Sequence, residues 1–270
     1  MNTKFNSSLL IGFLLLGANL SVSAQTYTVV KPKGKITLKS GKRQLRTGDT
    51  FKAGPLKFST PKDFLVVLDE TAATFLLYPA DSSLKKYVVK PLPPVGLKPG
   101  DIILTDLQLR EFLKENDSLL LLNGTYSLIL GKTEFPMNKD SFFYMKYIWK
   151  GDTVLKKLDY REDTLIINSE TLYQVYEHPI DPLEVSAQYY LRYYTAAKKE
   201  SVAYPEKMRP IYIIRPDETA LAEEVNILLQ ATKAQPMKVR TLVVRSYLSA
   251  FYGMPGDWEL DQLIKKLSRR

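Results

Sequence analysis

The chain has 270 residues, of which 45% are hydrophobic and 25% are charged, a composition typical of a globular protein with one large domain or two small ones. It contains no cysteine, which excludes disulfides, thiolate metal sites and a cysteine nucleophile. His178 is the only histidine, so a multi-histidine zinc site is excluded and a histidine-based triad has one candidate.

Residues 1–24 have the pattern of a secretory signal peptide. Lys4 gives a positive start, an apolar stretch runs from Leu9 to Leu20, and small residues precede Gln25. The alternative is an uncleaved anchor helix, but spanning a bilayer takes roughly 20 apolar residues. We therefore expect cleavage after Ala24, with no transmembrane segment in the mature chain. The sequence predicts a periplasmic or secreted protein.

Residues 25–60 carry nine lysines and arginines against one aspartate, so this segment holds most of the formal net charge of +9. A local basic surface indicates an anionic neighbour, such as a lipid head group, a cell-wall polymer or an acidic protein. The alternative is that these lysines cover the solvent side of the first strands and prevent edge pairing. Nucleic acid is not expected for an exported chain without a nucleic-acid motif. The candidate interaction residues here are Lys35, Lys39, Lys42, Arg43 and Arg46.

Alternating and apolar runs predict short strands over residues 27–90. Residues 35–39 alternate with period two, so Ile36 and Leu38 should point inward. Residues 64–68 form an apolar run typical of a buried strand, and residues 73–78 are its expected partner. The pattern favours a β-sandwich or barrel-like module.

Two stretches end in Gly-Lys, as a nucleotide-binding phosphate loop does: Gly34–Arg43 (GKITLKSGKR) and Gly124–Thr133 (GTYSLILGKT). A phosphate loop needs four residues between its glycines and a helix that follows. Both stretches have six, and no helical pattern follows either. We interpret them as two similar strands bounded by glycine, and we expect no nucleotide or other cofactor.

Residues 34–79 resemble the periplasmic FecR-type domain. The resemblance rests on Gly34, Gly41, the Leu45/Gly48/Asp49 turn, the Thr60/Asp63 pair and the apolar strands from Phe64 to Tyr78, and it extends over about residues 34–125. It implies a β-sandwich or β-roll that works by protein contact in the cell envelope, and it implies no catalytic residues.

Residues 91–130 begin with a proline-rich crossing segment, PLPPVGLKPG. Asp106 to Lys114 should form a short helix. Asn123-Gly124 lies between two apolar runs and predicts a hairpin over residues 118–130. Three strands should then form a meander over residues 141–168.

Asp181-Pro182-Leu183-Glu184 has the pattern of a helix start, and we expect that helix to run to about Lys199. Its tyrosines would share one broad helical face, either as an interaction surface or as packing against a sheet. These four candidate residues are Tyr189, Tyr190, Tyr193 and Tyr194.

The remaining residues predict one strand and three helices. The strand covers residues 211–214, and the helices cover about 218–232, 239–252 and 258–267. The expected fold class is α+β, with an N-terminal all-β sandwich or roll followed by a β-meander and a helical region. The expected division is a β-rich region over residues 25–180 and a helical region over residues 181–270.

We expect an exported, non-enzymatic protein that makes protein–protein contacts or acts as a scaffold in the bacterial cell envelope. One alternative is a glycan- or peptidoglycan-binding module that uses the same surfaces. Another is a carboxylate-based glycoside hydrolase, since that chemistry needs only two acidic residues. No pair among the 29 acidic residues stands out, so we assign no catalytic, cofactor-binding or metal-binding residue.

Overall fold

A computed structural model describes residues 25–39, 43–71, 73–80, 83–91, 102–197, 200–204 and 209–269. The expected signal peptide, Lys42 and residues 92–100 of the proline-rich segment lie outside these ranges. The described chain is rich in strands, mostly antiparallel, and its helices are concentrated towards the C-terminus. The α+β fold class expected from the sequence is therefore confirmed at this level.

The N-terminal part contains a five-stranded antiparallel sheet with the strand order β3-β1-β5-β6-β7 and a two-stranded sheet formed by β2 and β4. The strands are β1 Thr26–Lys33, β2 Ile36–Leu38, β3 Thr50–Lys52, β4 Leu56–Phe58, β5 Phe64–Asp69, β6 Thr74–Ala80 and β7 Ser83–Pro91. The predicted pairing of residues 64–68 with residues 73–78 is confirmed, since β5 and β6 are antiparallel neighbours.

The five-stranded sheet is covered on both faces, which explains the continuous apolar run of β5. Leu65 and Val67 pack into a core shared with β2 and β4. Val66 and Leu68 face the opposite way and join a core formed with the C-terminal helices. Residues that alternate between two buried faces give no polar side to the strand.

The central part contains three sheets, ordered β12-β13-β9, β11-β10-β16-β17 and β18-β8-β19, and a short hairpin of β14 and β15. Its strands are β8 Ser118–Leu120, β9 Thr125–Ile129, β10 Ser141–Trp149, β11 Asp152–Lys157, β12 Asp159–Arg161, β13 Thr164–Asn168, β14 Gln174–Val175, β15 His178–Pro179, β16 Tyr190–Thr195, β17 Glu200–Tyr204, β18 Tyr212–Ile214 and β19 Met254–Pro255. Strand β8 is parallel to both of its neighbours. The residues from Leu119 to Leu122 alternate between the central core and the helical core, so this segment joins the two.

The helices begin close to where their capping residues predict. They are α1 Asp106–Glu115, α2 Ser169–Leu172, α3 Glu218–Ala231, α4 Met237–Phe251 and α5 Asp257–Ser268. Thr105 and Gln108 form a capping box on α1, and Asp217 accepts a hydrogen bond from the Ala220 amide at the start of α3. The four helices predicted over residues 106–114, 218–232, 239–252 and 258–267 are confirmed.

The helix predicted over residues 181–199 is wrong. Asp181 does cap a turn, but that turn is a 3₁₀ helix that ends after Pro182–Glu184. The chain then continues as strands β16 and β17 of the four-stranded sheet. Buried and half-buried residues alternate along β16, which is the period of a strand. After the 3₁₀ turn, the next helix of the described chain is α3, which begins at Glu218.

Two strand pairings expected in the central part also differ. Asn123 and Gly124 do form a tight turn, and both have positive φ angles, 50° and 73°. The strands on either side enter different sheets, however, because β8 pairs with β18 and β19 while β9 pairs with β13. The meander expected over residues 141–168 is likewise divided, with β10 and β11 in one sheet and β12 and β13 in another.

The two stretches that end in Gly-Lys share local features. Gly34 and Gly124 both have positive φ angles, 87° and 73°. Ile36 and Tyr126, each two residues further on, are both buried. Their equivalence as copies of one β unit stays a prediction.

Candidate functional site

The basic residues predicted as an interaction surface lie around β2 and the loop after it. Lys35, Lys39, Arg43 and Arg46 are exposed. Arg43 forms an ion pair with Asp49, and the same carboxylate accepts a hydrogen bond of 2.8 Å from the Arg46 amide. Part of the positive charge is therefore neutralised within the turn.

The structure separates the four candidate tyrosines into two pairs. Tyr189 and Tyr193 are buried, whereas Tyr190 and Tyr194 are half-buried on the opposite side of the sheet. The single tyrosine face predicted from helical spacing is therefore wrong. The pattern i, i+1, i+4, i+5 fits a helix, but Leu191 is buried too, and only period two accounts for that burial.

A groove of about 750 Å³ lies on one face of the β12-β13-β9 sheet. The strand register places Thr164 opposite Ile129 and Ile166 opposite Ser127, so these four side chains share the floor of the groove. Arg161 lies opposite Thr164 and extends the same row to the outer strand. The floor therefore combines hydroxyl groups, aliphatic groups and one cation.

Two walls rise from this floor. Helix α1 supplies one wall with Gln108, Glu111, Phe112 and Glu115. The opposite wall is the chain from Met254 to Trp258, where β19 leads into α5, together with Arg245 of α4. A largely apolar cleft with a few polar groups is the usual form of a binding site.

Charged side chains hold the second wall in place. Arg245 forms an ion pair with Asp257, and Arg245 and Glu259 are both almost fully buried. The Ser127 hydroxyl donates a hydrogen bond of 2.5 Å to Glu259 Oε1, which ties α5 to the groove floor. Burial, and then the negative charges of Asp257 and Glu259, raise the pKa of the neighbouring Tyr126 hydroxyl.

Gly256 makes this close approach possible. A Cβ at this position would lie 2.2 Å from Glu259 Oε2 and 3.2 Å from the backbone nitrogen and oxygen of Ser127. A side chain here would have to displace the Glu259 carboxylate and would crowd the Ser127 backbone. The absence of a side chain at Gly256 thus lets the start of α5 approach β9 closely at this end of the groove.

Large apolar side chains stand exposed at the rim. The exposed fractions are 63% for Trp258, 48% for Ile102 and 39% for Ile129, all of which line the groove. Leu104, just before α1, and Leu107, in the first turn of α1, are exposed as well. Clustered apolar exposure of this kind marks an interaction site more often than scattered single residues do.

Sequence reasoning missed the groove because its residues come from segments as far apart as 102 and 258. One local signal existed: Trp258 lies off the buried stripe of α5, which comprises Leu260, Leu263, Ile264 and Leu267. A tryptophan on the solvent side of an amphipathic helix is an indication of a contact surface.

The other features that could carry a function are the single histidine, metal-binding clusters and membrane-spanning helices. His178 is exposed on β15 of the short hairpin. Within the described ranges, no cluster of acidic residues or histidine is arranged to hold a metal ion. No helix among those residues is long and apolar enough to cross a membrane.

No protein-family model, curated protein or solved structure matches the chain. The inference of function therefore rests on the groove and on the other surfaces of this chain.

Proposed function

We propose that this protein is an exported, non-enzymatic scaffold of the bacterial cell envelope, and that it binds a segment of another envelope protein in the groove between α1 and α5. The single observation that carries the proposal is the groove itself, with its exposed apolar rim. The predicted signal peptide and the FecR-type resemblance support the location and the mode of action. The division of the chain into a β-rich and a helical region remains part of the same proposal.

The chemistry of the groove suits an extended protein segment. Its volume of about 750 Å³ is within the range of pockets that bury a sizeable ligand. Trp258 at the rim offers a large ring of the type that dominates binding energy at protein interfaces. The threonine and serine hydroxyls of the floor can bond to a peptide backbone, while the isoleucines accept apolar side chains.

The charges of the groove would orient such a segment. Glu111 and Glu115 place two carboxylates on the α1 wall, and Arg161 places a cation at the edge of the floor. Arg245 and Asp257 neutralise one another. We expect a partner segment that is apolar in the middle and carries a positive group towards α1, because opposite charges across an interface fix orientation.

Substitution of the rim tests this proposal. We expect Trp258→Ala to lower the amount of one or a few co-purifying envelope proteins by about tenfold, which corresponds to a loss of about 1.4 kcal/mol for a large aromatic ring that the partner would cover. The measurement is quantitative mass spectrometry of proteins that co-purify with the tagged chain from its own cells.

Leu183→Ala is the matched control, because Leu183 is an exposed apolar residue outside the groove. It should leave the captured proteins unchanged, and circular dichroism should show that both variants are folded. Equal capture by wild type and Trp258→Ala would overturn the proposal, as would an equal loss in Leu183→Ala.

A further inference from the structure

The outer face of the β11-β10-β16-β17 sheet carries aromatic and basic side chains in alternation. The inner face of this sheet packs into the central core through residues such as Phe143, Met145 and Leu191. Cross-strand register then fixes the twelve outward positions. They are Phe142, Tyr144, Lys146, Ile148, Thr153, Leu155, Lys157, Tyr190, Arg192, Tyr194, Ser201 and Ala203.

All charged residues among these twelve positions are cations. Lys146, Lys157 and Arg192 lie on three different strands, and no aspartate or glutamate occupies an outward position of the described sheet. Solvent-exposed surfaces of soluble proteins normally mix both signs of charge. A face that carries only positive charges favours an anionic partner.

The rings and cations are held in fixed positions. Phe142 packs against Tyr194, with ring centroids 5.3 Å apart, and the Lys157 ammonium lies 4.2 Å above the Phe142 ring. The Arg192 guanidinium donates hydrogen bonds to the backbone oxygen and hydroxyl of Ser201, at 3.1 and 2.9 Å. Because these contacts already restrict the side chains, a ligand would lose less free energy in ordering them when it binds.

Rings and cations also alternate along one strand. Tyr190, Arg192 and Tyr194 follow each other on β16, and same-face neighbours on a strand are about 6.8 Å apart. An anionic polymer built of rings can therefore place apolar ring faces on the aromatic residues and its acidic groups beside the cations.

We infer that this outer face binds an acidic polysaccharide, a glycan whose sugar rings carry carboxylate or phosphate groups. An acidic peptide would use the cations but has no repeating rings to stack on the aromatic residues. Single-stranded nucleic acid shares the required chemistry, but the expected export signal directs the chain away from it. The inference is independent of the groove, which uses other elements.

Binding to defined polymers tests the inference. The intact mature protein is measured against immobilised polysaccharides that bear uronate or phosphate groups, against neutral dextran, and against polyglutamate and poly(dT). We expect retention by at least one acidic polysaccharide, about tenfold weaker in Tyr194→Ala and in Lys157→Glu. Raising the salt concentration from about 0.05 to 0.5 M should weaken retention, because exposed charges are screened.

Tyr176→Ala and Lys238→Glu serve as controls, since both residues are exposed and lie outside this face. A further test variant, Arg192→Gln, removes a charge but keeps the length of the side chain and much of its hydrogen bonding, and it should also weaken retention. Thermal melting shows that each variant is folded. The carboxylate and phosphate arms distinguish the two sources of negative charge. Retention by no polysaccharide, equal retention by dextran or polyglutamate, preferred binding of poly(dT), or variants that bind like wild type would each overturn the inference.

Discussion

Asp63 is a buried carboxylate whose hydrogen bonds come from its own loop. It accepts bonds from the Ser59 and Thr60 amides at 2.8 and 2.9 Å and from the Thr60 hydroxyl at 2.6 Å. It also lies beneath Gly34, where a Cβ would be 2.1 Å from Asp63 Oδ1 and where φ is +87°. Three of the residues that carry the FecR-type resemblance, Gly34, Thr60 and Asp63, therefore have a structural role in closing this loop.

This arrangement predicts a pH-dependent stability. Burial raises the pKa of Asp63, but the hydrogen bonds from Thr60 and Ser59 outweigh it and lower the pKa below the ordinary 3.8. A lowered pKa means that the carboxylate stabilises the fold above about pH 4 and loses this effect as pH falls through the lowered value. We expect Asp63→Asn to cost about 2 kcal/mol at pH 7.

Urea unfolding at pH 7 and at about pH 2.5 measures the difference in free energy of unfolding between wild type and Asp63→Asn. This difference should shrink at the lower pH, because wild-type Asp63 takes up a proton there. Asp261→Asn, on the exposed side of α5, is the control and should change stability little. A difference between wild type and Asp63→Asn that stayed constant over this range would contradict the assignment.

At the scale of single elements, the sequence predicted what depends on neighbours along the chain. The α3 cap at Asp217, the leucine stripe of α5 and the apolar run of β5 are local signals, and the structure has all three elements. The helix prediction for the segment around Tyr189–Tyr194 was wrong because a helix-start pattern lies just before a strand. Val185 bridges to Trp149, and this pairing with β10 ends the 3₁₀ turn.

The strand assignment predicts unequal effects at adjacent tyrosines. Tyr193 is buried, its ring lies 4.6 Å from that of Phe143, and its hydroxyl donates to the Pro136 oxygen at 2.7 Å. Tyr193→Ala should therefore cost about 3–5 kcal/mol. Tyr194→Ala, on the outer face, should cost below about 1.5 kcal/mol. Guanidinium unfolding measures both, and similar losses at the two positions would favour the shared helical face instead.

At the scale of the whole molecule, a buried polar cluster joins the first strand to the helices. The Lys31 ammonium forms an ion pair of 2.9 Å with Glu224 of α3, and Glu224 accepts hydrogen bonds from Tyr247 and Tyr252 at 2.7 and 2.5 Å. Burial, followed by interaction with Glu224, raises the pKa of both tyrosine hydroxyls. Lys31 belongs to the basic N-terminal segment, so one of those lysines serves packing between regions.

Removing this lysine should destabilise the molecule as a unit. Lys31→Met leaves Glu224 buried without its cation, which we expect to cost about 3 kcal/mol. Because Val30, Val66 and Leu68 share a core with α3, α4 and α5, heating should show one transition that moves by several degrees. Lys33→Met, exposed on the same strand, is the control. A split into two transitions, monitored by circular dichroism and tyrosine fluorescence, would contradict the shared core.

Sequence reasoning named Tyr190 and Tyr194 of the outer sheet face, but it could not find the rest of that face or the groove, for a common reason. Each is assembled from strands whose partners are set by long-range pairing, such as β9 with β13 and β10 with β16. A hairpin turn at Asn123-Gly124 fixes local direction but not which sheet each strand enters. A surface whose side chains come from several separate strands and helices leaves no contiguous pattern in the sequence.

The most direct measurement of the central claim, that the groove holds a segment of an envelope protein, is crosslinking from within it. In one strain a photoreactive residue replaces Ile102, which is 48% exposed at the rim. In a second, control strain it replaces Val89, which is 42% exposed on β7. The account predicts one discrete protein adduct in cells from position 102, none from position 89, and loss of the adduct when Trp258→Ala is added. Absence of an adduct at position 102, or an identical adduct from both positions, would contradict it.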